Sequence, residues 1–192
     1  MERPYTEKDN LKTLLKASYE SAKDAKNTLR DAGYTLDDKL SNINTKVFVD
    51  QKGKPHITFR GSVRVVDWLR DDPLIAMGYG KFAPRVKEAQ KITKEVEAKY
   101  NQPANVFGNS LGGALAEKSG ASGKIVTHNK AMSLSDIGKT IPKNQTDVRS
   151  LQDPVSVLSL TQKHQGRFVN TVPIMGLRDA HVWQSLPNGL LV

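Results

Sequence analysis

Small and apolar residues recur at three- and four-residue steps through Leu11, Leu14, Leu15, Ser18, Ala22, Ala25 and Leu29. That period predicts one amphipathic helix over 7–32, with Thr6 as its cap and Gly33 as its stop. The period then switches. "TKVFVD" (45–50) and "HITFR" (56–60) read as two strands joined by a turn at Gly53, an expected antiparallel hairpin. "VRVVDWLRDD" (63–72) reads as a short amphipathic helix closed by Pro73. A longer helix is predicted over 83–100, with Val86, Ala89, Ile92, Val96 and Tyr100 on one face and lysines and glutamates on the other. "ANVFG" (104–108) predicts a strand running straight into a helix at 111–119. Further strands are expected at 123–129, 148–153 and 167–172. No internal repeat interrupts this order. Strands alternating with helices over short connections predict an α/β fold, with a compact and mostly parallel central sheet flanked by helices. The N-terminal helix and the hairpin are expected at one side of it.

The length of 192 residues corresponds to a single domain with a full core. No apolar run approaches the roughly 20 residues that span a bilayer. The polar start MERPYTEKDN is not that of a secretory signal, so a cytoplasmic or virion-associated location is expected rather than secretion. With no cysteine, thiolate chemistry and cysteine-ligated zinc are excluded. The histidines at 56, 128, 164 and 181 lack metal-ligand spacing, and no metal or organic cofactor is expected. "KSGASGKI" (118–125) fails the phosphate-loop pattern at both ends. The net charge of +9 favours an anionic partner, of which an anionic membrane surface is one form. Nucleic acid is not the expected partner, because the lysines are spread along the chain and aromatics make up only 6%.

The chemistry concentrates in "NVFGNSLGGALAEKSG" (105–120), where Ser110 stands between Gly108 and Gly112, with Gly113 next. A bland reading is a tight strand-to-helix turn that needs small residues. The sharper reading is a nucleophile elbow, G-x-S-x-G, in which a strained serine projects alone above the carboxyl edge of the sheet. The amide of Leu111 then opens a helix whose first N–H groups lack partners, which offers half of an oxyanion hole. A strand before and a helix after the motif meet the context that the elbow requires.

"ITFRGSVRVVDWLRDD" (57–72) adds a second motif. F-R-G-S, then D-W-L-x-D, then G-N-S-L-G-G-A-L-A resembles the class 3, fungal-type triacylglycerol lipases of the α/β-hydrolase superfamily. The resemblance covers about 45–187, and "GYGKF" (78–82) fits that family's glycine–aromatic segment. Asn109 stands where the family usually has histidine, and "VTHNKAMSLSD" (126–136) lacks the usual glycine–serine–proline turn. The resemblance implies that Ser62 supplies the second oxyanion donor through its amide. It also implies a lid helix, with Val65, Val66, Trp68 and Leu69 as its apolar face.

A serine nucleophile needs a base, and the base needs an orienting carboxylate, in the superfamily order Ser, Asp or Glu, His. Asp153 is expected to end a strand on the edge where active-site groups collect, whereas Asp147 would precede that strand and Asp136 matches no motif. For the base, His164 and His181 both follow Asp153. His164 lies in a polar turn, while the resemblance puts the base at His181, with His164 as the alternative. The expectation is therefore a serine carboxylic-ester hydrolase, a lipase or esterase acting on lipid or small esters through Ser110, Asp153 and His181. The competing reading is a catalytically idle interaction or virion-associated structural protein that keeps the fold.

Overall fold

The computed structural model describes residues 11–62, 83–151, 153, 155–172 and 182–186. The predicted lid segment, with Val65, Val66, Trp68 and Leu69, lies outside the described residues, as does His181.

Helices α1 (Leu11–Tyr19) and α2 (Ala22–Asp31) replace the single helix expected over 7–32. The apolar period runs across both, but Ser21 interrupts the backbone. Its Oγ accepts the Asp24 amide at 3.2 Å and so starts a new helix. Strands β1 (Thr35–Leu36), β2 (Thr45–Val49) and β3 (Pro55–Phe59) follow, and the β2–β3 hairpin is antiparallel as expected. Helix α3 (Ala83–Tyr100) occupies the predicted residues. Then come β4 (Asn105–Asn109), α4 (Leu111–Lys118) and β5 (Ile125–His128). The remaining strands are β6 (Thr140–Ile141), β7 (Gln145–Ser150), β8 (Lys163–His164) and β9 (Arg167–Thr171).

The sheet order is β1-β2-β3-β4-β5-β7-β9, with β6 and β8 forming a separate two-stranded ribbon. From β3 to β9 every pairing is parallel. The fold is thus an α/β sandwich of the α/β-hydrolase kind, with the antiparallel strands at one side.

Side chains alternate across the pleat, so each strand feeds two cores. Val47, Ile57, Val106 and Ile125 pack under α3 and α4 together with Ala89, Val96, Leu111 and Leu115. Phe48, Phe107, Val126 and Val148 face the other way, against Leu11, Leu14, Leu15 and Leu29 of α1 and α2. Each such side chain taken fully out of water contributes about 1.5–3 kcal/mol. The helical pair at the N-terminus is therefore one wall of the sandwich rather than an appendage.

The two-residue strands β1, β6 and β8 were not expected, and one expected strand is shifted. β7 runs over 145–150 instead of 148–153. Gln145, Thr146 and Asp147 are polar and precede the expected strand, yet all three are buried inside the sheet. Thr127, Gln145 and Lys130 satisfy the Asp147 carboxylate there. Asp147 therefore lies within the strand, not before it, and Asp153 lies three residues beyond the strand's end.

Candidate active site

The turn between β4 and α4 has the geometry of an elbow. Ser110 sits at φ 57° and ψ −123°, a left-handed conformation that costs a non-glycine residue roughly 1–3 kcal/mol. Neighbouring backbone holds it there. The Ser110 amide donates to the His128 carbonyl at 2.9 Å, and the Ser110 carbonyl accepts from Ala114 and Ala131 at 3.2 and 3.0 Å. The glycines are there because backbone passes too close for a side chain. A Cβ on Gly108 would overlap the Gly112 carbonyl and come within 2.6 Å of the Gly113 nitrogen. One on Gly112 would strike the Phe59 carbonyl, and one on Gly113 would lie 2.9 Å from Lys130 Cβ. The Ser110 Oγ is buried and has no hydrogen-bond partner among the described residues. Leu111, the first helical residue, has no intrahelical acceptor for its amide.

The segment after β3 closes over this turn. A Cβ on Gly61 would lie 2.6 Å from the Asn109 carbonyl oxygen and 3.5 Å from Ser110 Cβ. Half-buried Ser62 follows at once, so the F-R-G-S segment meets the elbow at one point of the sheet edge, while D-W-L-x-D lies outside the described residues. Asp153 lies at the same carboxyl edge, beyond β7. It is 2% exposed, with its carboxylate accepting the Ser156 amide at 2.9 Å and the Val155 amide at 3.3 Å. Those amides fix its orientation.

His164 is engaged elsewhere. Its Nδ1 is 3.8 Å from Asp147, its Nε2 is 3.3 Å from the Ser159 carbonyl, and its ring meets Phe168 edge-on. Asp136 is likewise occupied. Burial opposes its ionisation, but Lys118 and Lys139 at 2.6 and 2.9 Å outweigh that and hold its carboxyl well below the usual range. Among the described residues no cluster of side chains is arranged to hold a metal ion.

Three features were not read from the sequence. Asn109, at the position where histidine was expected, presents Oδ1 to His128 Nδ1 at 2.7 Å. That contact puts the ring proton on Nδ1. Asn109 Nδ2 donates to the Tyr19 hydroxyl at 3.3 Å, and the same phenol oxygen bonds the Gly61 backbone. Burial raises the Tyr19 phenol, which stays neutral and ties α1 to the loop and the elbow together. Tyr19 gave no signal, because it lies beside the apolar stripe of its helix. The third feature is a group of cations, Lys46, Arg60 and Arg85. Arg60 stands inside the F-R-G-S motif but has no family role that marked it out.

The fold is shared with solved lipases. The chain is similar to a mutant form of MDLA from Penicillium cyclopium, with a TM-score of 0.51 and 20% identity over 86% of this chain and 77% of that one. It is similar to the Rhizomucor miehei lipase of a propeptide complex, with a TM-score of 0.50 and 16% identity. That match covers 76% of this chain but only 60% of the other. A fungal lipase in complex with an inhibitor, studied for interfacial activation, gives a TM-score of 0.50 and 18% identity over 82% and 76% of the two chains. No protein-family model matches the chain, and no curated protein does. The fold is therefore that of the class 3, fungal-type lipases. No helix among the described residues is long and apolar enough to cross a membrane.

Proposed function

We propose that this protein is a serine carboxylic-ester hydrolase acting on lipid esters. The observation that carries the reading is the strained Ser110, whose hydroxyl is left without a partner at the mouth of a helix. Strain of that kind at a polar residue marks functional sites more often than turns of no consequence.

In this reading Ser110 Oγ attacks the ester carbonyl as its proton passes to the base. The sequence resemblance to the lipases favours His181 as that base, with His164 as the alternative. Asp153, held by the Val155 and Ser156 amides, orients the imidazole and stabilises its charged form. The carbonyl oxygen becomes an oxyanion between the Leu111 and Ser62 amides, each contributing roughly 3–4 kcal/mol in comparable sites. The imidazolium returns the proton to the departing alcohol, and water repeats the sequence on the acyl-enzyme.

A short-chain ester assay tests this. Ser110→Ala is expected to lower turnover by about 10⁴–10⁶ while the far-ultraviolet circular dichroism stays unchanged. A variant retaining more than about a tenth of the activity would remove Ser110 from the role. His181→Ala is expected to be nearly as damaging, and the double variant no worse than either single one, because the group acts as a unit. If His164→Ala is instead the inactive variant, the base is His164.

A further inference from the structure

Three basic side chains meet beside the elbow. Lys46 on β2 lies opposite Thr58, at the carboxyl end of β3. Arg60 follows β3, and Arg85 stands in the first turn of α3. Arg85 Nη2 donates to the Arg60 carbonyl at 2.7 Å. Gly61, the next residue, is the one that reaches Ser110.

None of the three has a carboxylate within ion-pair distance among the described residues. Lys46 Nζ donates to the Asn42 carbonyl at 2.8 Å although the residue is only 1% exposed. The Arg60 guanidinium lies 5.8 Å above the Tyr19 ring, and its Nε is buried with no partner among the described residues. Glu20 and Glu88 act on the group from further away. Glu20 pairs with Lys16 at 3.4 Å, and Glu88 accepts from Asn42 at 3.3 Å. Burial and then the Arg60 charge draw the Lys46 ammonium down, so the cations stand close enough to oppose one another.

We infer that this group of cations is a subsite for a phosphate group carried on the ester substrate, close to the bond that is cleaved. Two guanidinium groups and an ammonium match the charge of a phosphate, which accepts from several donors at once. Binding there neutralises cations that no carboxylate among the described residues pairs with, and it holds the neighbouring ester over Ser110. The inference rests on the ester-hydrolase reading for the word substrate, but not for the binding of the anion.

The experiment separates the two. The kcat/KM of the protein is measured for 1-butyrylglycerol 3-phosphate and for 1-butyrylglycerol, and calorimetry follows glycerol 3-phosphate binding to the Ser110→Ala variant. The phosphate ester is expected to be preferred by roughly tenfold, the worth of one charge-assisted contact. Arg85→Gln and Lys46→Gln should each erode that preference, and about 1 M salt should screen it. Mixed micelles of phosphatidylglycerol or diacylglycerol distinguish a lipid headgroup from a soluble phosphoester as the source of the phosphate. Equal kcat/KM for the matched esters, without saturable glycerol 3-phosphate binding, would overturn the subsite and leave the hydrolase intact. If neither ester turns over but glycerol 3-phosphate binds with unit stoichiometry and Arg85→Gln removes that binding, the subsite stands and the hydrolase reading falls.

Discussion

Two charged regions of this protein, one buried and one partly buried, are built in opposite ways. Under β5 and β7, Lys130 is 2% exposed and meets Glu117 at 2.5 Å and Asp147 at 2.6 Å. Thr127 and Gln145 add bonds to Asp147, and Gln145 another to Glu117. Nearby, Asp136 is closed off by Lys118 and Lys139. Beside the elbow and among the described residues, Lys46, Arg60 and Arg85 meet carbonyls and a ring but no carboxylate, and the Ser110 hydroxyl has no partner. A charge that serves the fold is paired inside the chain, because an unpaired buried charge costs more than it returns. Beside the elbow no such pairing is found among the described residues, and there the backbone is strained as well.

The largest effect that sharpens this contrast is on stability. Lys130→Ala removes the shared partner of Glu117 and Asp147 and is expected to cost about 3–5 kcal/mol, read from urea unfolding. A loss below about 1 kcal/mol would erase the distinction between the regions.

A second, somewhat smaller loss comes with acid. Because the folded-state value of Asp136 lies below its unfolded value, its contribution is present above the ordinary carboxyl range. It is lost as pH falls below about 5 and through that range. The Tm gap between the wild type and Asp136→Asn should therefore narrow as pH falls. A gap that is constant with pH would deny the ion pairing its role.

The elbow should respond with the opposite sign. Ser110→Gly relieves the left-handed strain and is expected to stabilise the fold by about 1–2 kcal/mol while removing activity. Destabilisation would show that the turn is not strained. Smallest is Tyr19→Phe, which keeps the ring under Arg60 but frees Gly61 and Asn109. It is expected to lower kcat about tenfold with KM nearly unchanged, because one tie to the loop is lost. A pure rise in KM would place Tyr19 in binding instead.

The sequence made the local features of this fold legible and hid those created by packing. Helix α3 occupies its predicted residues because one amphipathic period runs unbroken to Tyr100. The elbow could be read because its G-x-S-x-G pattern is contiguous, and Gly108 is demanded by Gly112 only four residues on. The start of β7 was missed because its polar residues are made buriable by Lys130, which lies 17 positions from Asp147. The joint between α1 and α2 was missed because Ser18 and Ala22 continue the apolar period across Ser21. Tyr19 reaches Asn109 across 90 residues of chain, a separation at which no sequence pattern operates.

The central claim is that Ser110 is an activated nucleophile, and covalent labelling tests it without knowledge of the natural ester. A fluorophosphonate reacts with a serine hydroxyl only where a base and an oxyanion hole activate it. Intact-mass and peptide analysis are expected to show one adduct per chain, on the peptide bearing Ser110, and none on Ser110→Ala. No adduct on the folded wild-type protein, or an adduct on another residue that survives Ser110→Ala, would contradict the account.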